Sequence, residues 1–270
     1  MPVHRVRNGE VELNVWDEGA GRPVLLIHGF PDSSYMWRKQ VPELVRAGFR
    51  TLAVDLRGFG LSDRPQGVAA YGMARVMSDL IAILDYLEVD RAHVVGHDWG
   101  SVTAWGLAGW HSERVDRLVA LCVGHPRSFI RAGPRQMLRS WYTLAFQVPR
   151  LPERAMRARD WALFRKAFGG SRDLARYLED LSRPGALTAG LNWYRANAHP
   201  WDLLRYPAVH AETLGILGTN DWAVTEAQMT GSWRYVEAQW TYERVEGGHW
   251  LPLSRAAIVN QLLVDFLSAR

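Results

Sequence analysis

The pentapeptide Gly96-His97-Asp98-Trp99-Gly100 constrains this chain more than any other stretch. Ahead of it, Ala92-His93-Val94-Val95 is a short apolar run of the kind a buried strand needs. Behind it, Ser101 to His111 is rich in Ala, Leu, Val and Trp and reads as a helix. A Gly-x-nucleophile-x-Gly sequence between strand and helix makes a sharp turn whose strained central residue stands exposed. The two glycines let strand and helix pass closely. N–H groups of the first helical turn point at the centre and favour negative charge there.

The central residue is Asp98, where this turn commonly carries serine. A carboxylate is ionised at neutral pH and needs no base to become a nucleophile. It can displace a leaving group from an sp3 carbon, leaving an alkyl ester on the enzyme. Water then attacks the carbonyl carbon of Asp98 itself, so the oxyanion forms on the protein. Electrophilic carbons such as epoxides or alkyl halides are the matching substrates. Alone, the pentapeptide is also what an aspartate capping a helix produces, so the rest of the chain must decide.

Strand-like runs alternate with helical ones on both sides of the turn. Residues 4–17 alternate polar and apolar around Asn8-Gly9, as an antiparallel hairpin does. Buried strands are predicted at 24–27, 51–54, 92–95, 115–123, 213–217 and 239–245, and helices near 35–47, 73–87, 99–111, 225–232 and 256–267. This order predicts an α/β fold, a doubly wound and mostly parallel sheet. Between about 126 and 205 no strand is expected, only helix rich in Arg, Trp and Pro. We read 1–125 and 206–270 as the core and 126–205 as a helical cap inserted in it.

That cap holds most of the positive charge, with 15 Lys and Arg against 6 Asp and Glu over 125–205. No nucleic-acid motif accompanies it, so a solvated basic surface is expected and a nucleic-acid partner is not. No run of 18 apolar residues and no signal-peptide core occurs, so neither a membrane partner nor export is expected, and the cytoplasm is the default. The one cysteine, Cys122, lies in an apolar run and reads as a small buried hydrophobe.

A carboxylate nucleophile needs an oxyanion hole and a base for water. Backbone N–H groups of Trp99 and of Phe30, in His28-Gly29-Phe30-Pro31, are placed to form the hole. Pro31 would fix that turn, a cis bond being one way. Of nine histidines, His249 in Glu246-Gly247-Gly248-His249-Trp250 follows the last strand on a glycine loop that can project an imidazole. Asp221 in Gly218-Thr219-Asn220-Asp221-Trp222 ends the preceding strand and would orient it. The order Asp98, Asp221, His249 is nucleophile, acid, histidine.

Taken together, HGFPDSSYMWR (28–38), DLRGFGLSDRP (55–65), GHDWG (96–100), LNWYRAN (191–197), GTNDW (218–222) and GGHW (247–250) resemble the α/β-hydrolase fold epoxide hydrolases over nearly the whole chain. The resemblance implies the α/β-hydrolase fold, no cofactor and no metal. It implies that Tyr194 hydrogen-bonds the epoxide oxygen and protonates it as the ring opens. A phenol suits an alkoxide leaving group better than a carboxylic acid does. The family's second cap tyrosine falls on Ala145, which leaves Tyr142 or His125 as substitutes. Pro31, Trp141, Trp193, Trp222 and Trp250 flank these motifs and are expected around the pocket, which implies an apolar or aromatic epoxide as the small-molecule partner.

Three alternatives share parts of this pattern. A haloalkane dehalogenase has the Asp nucleophile but needs no phenol. A fluoroacetate dehalogenase typically has Arg where Trp99 stands. A non-catalytic or biosynthetic member of the fold has no need of an intact triad, or uses it on another substrate. The sequence leaves open the natural substrate, the stereochemistry and the choice between monomer and homodimer.

Overall fold

The protein is described from a computed structural model over residues 2–197 and 199–269. β1 (Val3–Asn8) and β2 (Val11–Gly19) form the hairpin, with Asn8 opposite Val11. The turn is therefore Gly9-Glu10, one residue later than expected, because Gly9 takes the positive φ of 60°. β3 (Arg22–Ile27) follows, then a 3₁₀ turn (Ser34–Lys39) and α1 (Val41–Arg46). The sequence predicts one continuous helix here. Pro42 lacks an N–H and fits only the first turn of a helix, so the chain restarts there.

The next elements are β4 (Phe49–Asp55), α2 (Met73–Tyr86), β5 (Ala92–His97), α3 (Trp99–Trp110) and β6 (Val115–Leu121). Seven helices then separate β6 from the next strand: α4 (Pro126–Arg131), α5 (Pro134–Arg139), α6 (Trp141–Ala145), α7 (Leu151–Phe168), α8 (Leu174–Ser182), α9 (Ala186–Asn197) and α10 (Pro200–Leu204). α7 is interrupted at Ala158–Trp161 by non-helical backbone. The chain closes with β7 (Glu212–Gly218), α11 (Glu226–Thr230), β8 (Trp240–Val245), α12 (Leu251–Ser254) and α13 (Ala256–Ser268).

The eight strands form one sheet in the order β1-β2-β4-β3-β5-β6-β7-β8. β2 pairs with its neighbours antiparallel, and β4 to β8 with β3 are all parallel. Parallel strands covered on both faces need continuous apolar runs. Val24 to Ile27 are fully buried and alternate between two cores. Leu25 and Ile27 pack with α2 and α3 residues such as Leu80 and Trp105. Val24 and Leu26 pack with Trp37, Leu44, Val259 and Leu263 on the other face. This is the α/β-hydrolase fold. No helix among the described residues is long and apolar enough to cross a membrane.

The chain reverses its direction of progress across the sheet between β3 and β5. In such sheets ligands bind at the carboxyl ends of the strands beside that point. The ends of β3, β5, β7 and β8 lead into Phe30, Asp98, Asp221 and His249 respectively.

Candidate active site

Asp98 joins β5 to α3 at φ 55° and ψ −120°, a conformation that a non-glycine residue reaches only under strain. The crossing is too close for a side chain on either flanking glycine. A Cβ on Gly100 would lie 2.0 Å from the carbonyl oxygen of Ile27, and one on Gly96 would lie 2.2 Å from that of Gly100. The strained turn lifts the Asp98 carboxylate onto the β3 loop. There Oδ1 accepts a hydrogen bond from the Phe30 N–H at 2.9 Å. The Phe30-Pro31 peptide is cis.

His249 must reach back across three strand spacings, about 14 Å, from the end of β8 to the end of β5. The two loops that make this possible touch backbone to backbone. Asn220 N–H donates to Gly247 O at 2.8 Å, and a Cβ on Gly218 would lie 2.4 Å from Gly248 O. The imidazole then bridges the two carboxylates. Nδ1 lies 2.7 Å from Asp221 Oδ2, and Nε2 lies 3.5 Å from Asp98 Oδ2. Asp221 Oδ1 accepts the N–H groups of Ala223 and Val224, which fixes the carboxylate plane.

Burial opposes charge on all three groups, and the cluster overrides it. Burial alone would lower His249, but the charges of Asp221 and Asp98 and hydrogen bonds to both push it up to about 10. Burial would raise Asp98; the hydrogen bond and charge of His249, with His97 and the Trp99 N–H, instead hold it below the usual carboxylate range. Asp221 is lowered against burial by the same imidazole and by its two backbone donors. The resting site is thus an imidazolium between two carboxylates.

Two cavities meet above Asp98, one of about 620 Å³ and one of about 320 Å³. Asp98, Tyr142, Tyr194 and Ala223 belong to the walls of both, so these residues stand where the chambers join. Trp141, Ala145, Trp222 and Trp250 line the larger chamber and Trp99 the smaller. Tyr194 comes from α9 and Tyr142 from α6, with ring centroids 6.0 Å apart. Burial, and then the Asp98 charge, push both phenols above their ordinary value.

Three expected pocket residues lie outside both walls. His125 is buried behind the site: its ring stacks on Tyr235 at 4.6 Å, and Nε2 bonds Pro207 O at 2.9 Å. Burial lowers it to about 4, so it stays neutral and has no proton to give at neutral pH. Trp193 is fully buried, its indole N–H donating to Arg57 O at 3.1 Å between the rings of Phe59 and Trp99. Pro31 is buried within the loop after β3 and lines neither chamber.

The neighbours of Tyr194 in the LNWYRAN stretch act as its frame. Arg195 binds Glu153 through two nitrogens and also donates to Phe146 O and Asn192 Oδ1, tying α9 to α6 and α7. Asn197 donates to Tyr71 O and Trp193 O. Residues around the base escape a reading of the sequence. Asp32 is buried, and its Oδ2 accepts the Trp250 indole N–H at 2.9 Å. Burial pushes its carboxyl up to about 7. Cys122 is more than a packed hydrophobe. Its thiol, which burial keeps protonated, donates to His249 O at 2.8 Å, as His97 Nε2 does at 3.0 Å. His97, Cys122 and His249 cluster closely enough to suggest a metal. His97 Nε2 and Cys122 Sγ are engaged with the His249 carbonyl and His249 Nδ1 with Asp221, so the three do not present a full set of free donors.

Residues 22–256 match the model of the alpha/beta hydrolase fold family. Epoxide hydrolase A of Mycobacterium tuberculosis is 31% identical over 99% of this chain and 98% of its own length. The chain belongs to the epoxide hydrolase family of the α/β-hydrolase fold. It is a hydrolase. The AB hydrolase superfamily protein YfhM of Bacillus subtilis is 34% identical over 92% of this chain and 90% of its own. Among solved structures, epoxide hydrolase A from Mycobacterium thermoresistibile superposes with a TM-score of 0.88 at 28% identity, covering 99% and 98% of the two chains. An inhibitor complex of the Bacillus megaterium epoxide hydrolase gives 0.88 at 26% identity, covering 99% and 100%.

Proposed function

We propose that this enzyme opens apolar epoxides to vicinal diols through an alkyl ester on Asp98, with residues 126–205 acting as the lid that supplies the acid. The observation that carries the reading is the division of the Asp98 carboxylate. Oδ1 occupies the N–H of Phe30, while Oδ2 faces His249 and the junction of two apolar chambers beneath two phenols. A serine protease holds substrate oxygen in such a hole; here the enzyme's own oxygen is in it, as the chemistry of an acylated aspartate requires.

In the first step Oδ2 attacks a ring carbon, and the carbon–oxygen bond of the epoxide breaks. The departing oxygen takes a proton from the phenols of Tyr194 and Tyr142, whose raised pKa matches that of an alkoxide. Esterification erases the Asp98 charge, and with it two of the influences that keep His249 protonated. The imidazolium then passes its proton back to the phenolate and becomes a base. In the second step it takes one proton from water. The hydroxyl adds to the Asp98 carbonyl carbon, and negative charge grows on Oδ1 against the Phe30 and Trp99 N–H groups. Collapse breaks the ester. The diol oxygen takes the second proton of that water, and the imidazolium between two carboxylates is restored.

The dehalogenase alternative needs indole N–H groups free for halide. Here the Trp99 ring packs edge-on against that of Tyr194 at 5.1 Å, and two phenols, for which halide displacement has no need, border Asp98. The two chambers favour an epoxide with an apolar arm on each side of the ring. The test is His249→Gln, which removes the base and leaves the nucleophile. With an aryl epoxide the variant should accumulate one substrate mass on the peptide carrying Asp98. An unmodified peptide, alongside wild-type turnover of the same epoxide, would sink the mechanism.

A further inference from the structure

Residues 137–151 carry an amphipathic pattern turned inside out. Met137, Trp141, Leu144 and Val148 recur at i, i+4, i+7 and i+11, the spacing that normally marks a face packed on a core. In this protein that face is exposed. Met137 is 72% accessible, Trp141 66% and Leu144 75%, with Leu138 at 75% beside them. Polar residues of α5 beside them point inward. Gln136 is buried, accepting the Thr225 N–H at 2.8 Å and donating to Ala223 O at 3.1 Å. Arg139 reaches Asp221 O at 2.7 Å. The inward face of α5 thus holds the main chain around the triad acid, and the apolar face is left to solvent.

This face lies at the mouths of both chambers. Met137 and Leu144 line the smaller one, and Trp141, Leu151 and Leu163 the larger, although each is more than half exposed. The cap around it is strongly basic, with 15 Lys and Arg against 6 Asp and Glu over 125–205. Arg150, Arg154, Arg157, Arg159, Lys166 and Arg172 are exposed and have no carboxylate within ion-pair distance among the described residues. A second copy of the chain laid face to face would bring the same positive charge against it. An anionic lipid surface brings the complement, together with an apolar phase for the exposed side chains.

We propose that the face formed by α5, α6 and the start of α7 docks on anionic bilayers, so that apolar substrate enters the chambers from the lipid phase. The sequence alone predicts a solvated basic surface and no membrane partner; the outward apolar stripe is what changes this. The contact is peripheral and does not depend on the chemistry proposed above.

The test is flotation of the full chain with vesicles of phosphatidylcholine alone or with one-third phosphatidylglycerol, at low and high salt. We expect binding to the anionic vesicles only, released by salt. Leu138→Glu should weaken it at least about tenfold by removing buried apolar area. Arg154→Glu with Arg157→Glu should weaken it by at least about 25-fold, each basic residue near an anionic surface being worth roughly fivefold in partitioning. Leu138, Arg154 and Arg157 line neither chamber, so turnover of a short water-soluble epoxide should be unchanged in all variants. No binding at low salt would overturn the proposal. So would equal binding to both vesicle types. A concentration-dependent dimer abolished by Leu138→Glu, without vesicle binding, would assign the face to a second copy instead.

Discussion

If two phenols share one leaving oxygen, removing either should cost much less than removing both. The tyrosine expected from the family at position 145 is Ala145, yet Tyr142 stands one helical turn earlier with its ring 6.0 Å from that of Tyr194. Both border Asp98. A hydrogen bond to a developing charge is worth about 1.5–3 kcal/mol. At about 1.4 kcal/mol per decade, each phenol then contributes roughly 10- to 10²-fold in rate. Together they reach the roughly 10²- to 10⁴-fold typical of a positioned general acid. Tyr194→Phe and Tyr142→Phe should therefore each slow alkylation by about one to two decades, and the double variant by two to four. The assay is single-turnover stopped-flow tryptophan fluorescence, since the Trp99 ring lies 5.1 Å from that of Tyr194 and reports on this spot. His125→Ala is the control. It should leave the alkylation rate alone while costing about 3 kcal/mol of stability for the lost buried ring. A Tyr142→Phe variant within about threefold of wild type, beside a full loss in Tyr194→Phe, would refute the shared acid.

Three further outcomes follow from the geometry. Thr143→Trp, which fills the smaller chamber, should lower kcat/KM for an epoxide with two long arms by about 10- to 200-fold. It should spare a terminal epoxide, and equal loss on both would remove the two-arm reading. Asp32 has a folded pKa near 7, raised above its unfolded value, so the folded state holds the extra proton between about pH 4 and 7 and stability falls as pH rises through that window. Asp32→Asn, neutral at every pH and still an acceptor for Trp250, should gain stability over wild type from pH 5 to pH 8. The gain is at most about 4 kcal/mol, each tenfold change in proton affinity being worth about 1.4 kcal/mol, and parallel denaturant curves at the two pH values check it. In ¹⁸O-water the first turnover should place label in Asp98 and not in the diol; label in the first diol would mean direct attack of water on the epoxide.

The strands, and the positions of the three residues that meet at the strand ends, were legible because both are short-range signals. Buried parallel strands are runs of Val, Leu and Ile, and the fold delivers the candidate site's side chains within four residues of a strand end. Asp98, Asp221 and His249 all obey that rule. What was not legible depends on contacts between distant segments. His125 looked like a pocket residue because it stands where the insertion begins, but Tyr235 and Pro207, from the far side of the insertion, enclose it. Tyr142 could replace the tyrosine missing at 145 only if α6 met α9 at the right height, and no local pattern sets that height. The outward stripe at 137–148 was invisible for the same reason. Its spacing is that of any amphipathic helix, and the partners that pull Gln136 and Arg139 inward are groups of residues 221–225, more than 80 positions away.

In the proposed mechanism, two carboxylates on one imidazole also set the order of events. On that reading, while Asp98 is ionised His249 holds a proton and does not activate water, so the resting enzyme has a nucleophile and no base. Alkylation changes both at once: the nucleophile is consumed, and the charge that kept the imidazole protonated disappears, leaving Asp221 as its one anionic partner. The base therefore exists only when there is an ester for it to hydrolyse. The two halves of the reaction are also separated in the fold. The phenols proposed as acid lie on helices α6 and α9, between β6 and β7, and the histidine and carboxylate proposed as base lie on loops after β7 and β8 of the sheet. A change in how the insertion sits should alter ring opening and leave ester hydrolysis to the rigid core. The Arg195–Glu153 pair ties α9 to α7 and touches no group of the triad, so Glu153→Gln should slow alkylation while the decay rate of the preformed ester stays at its wild-type value.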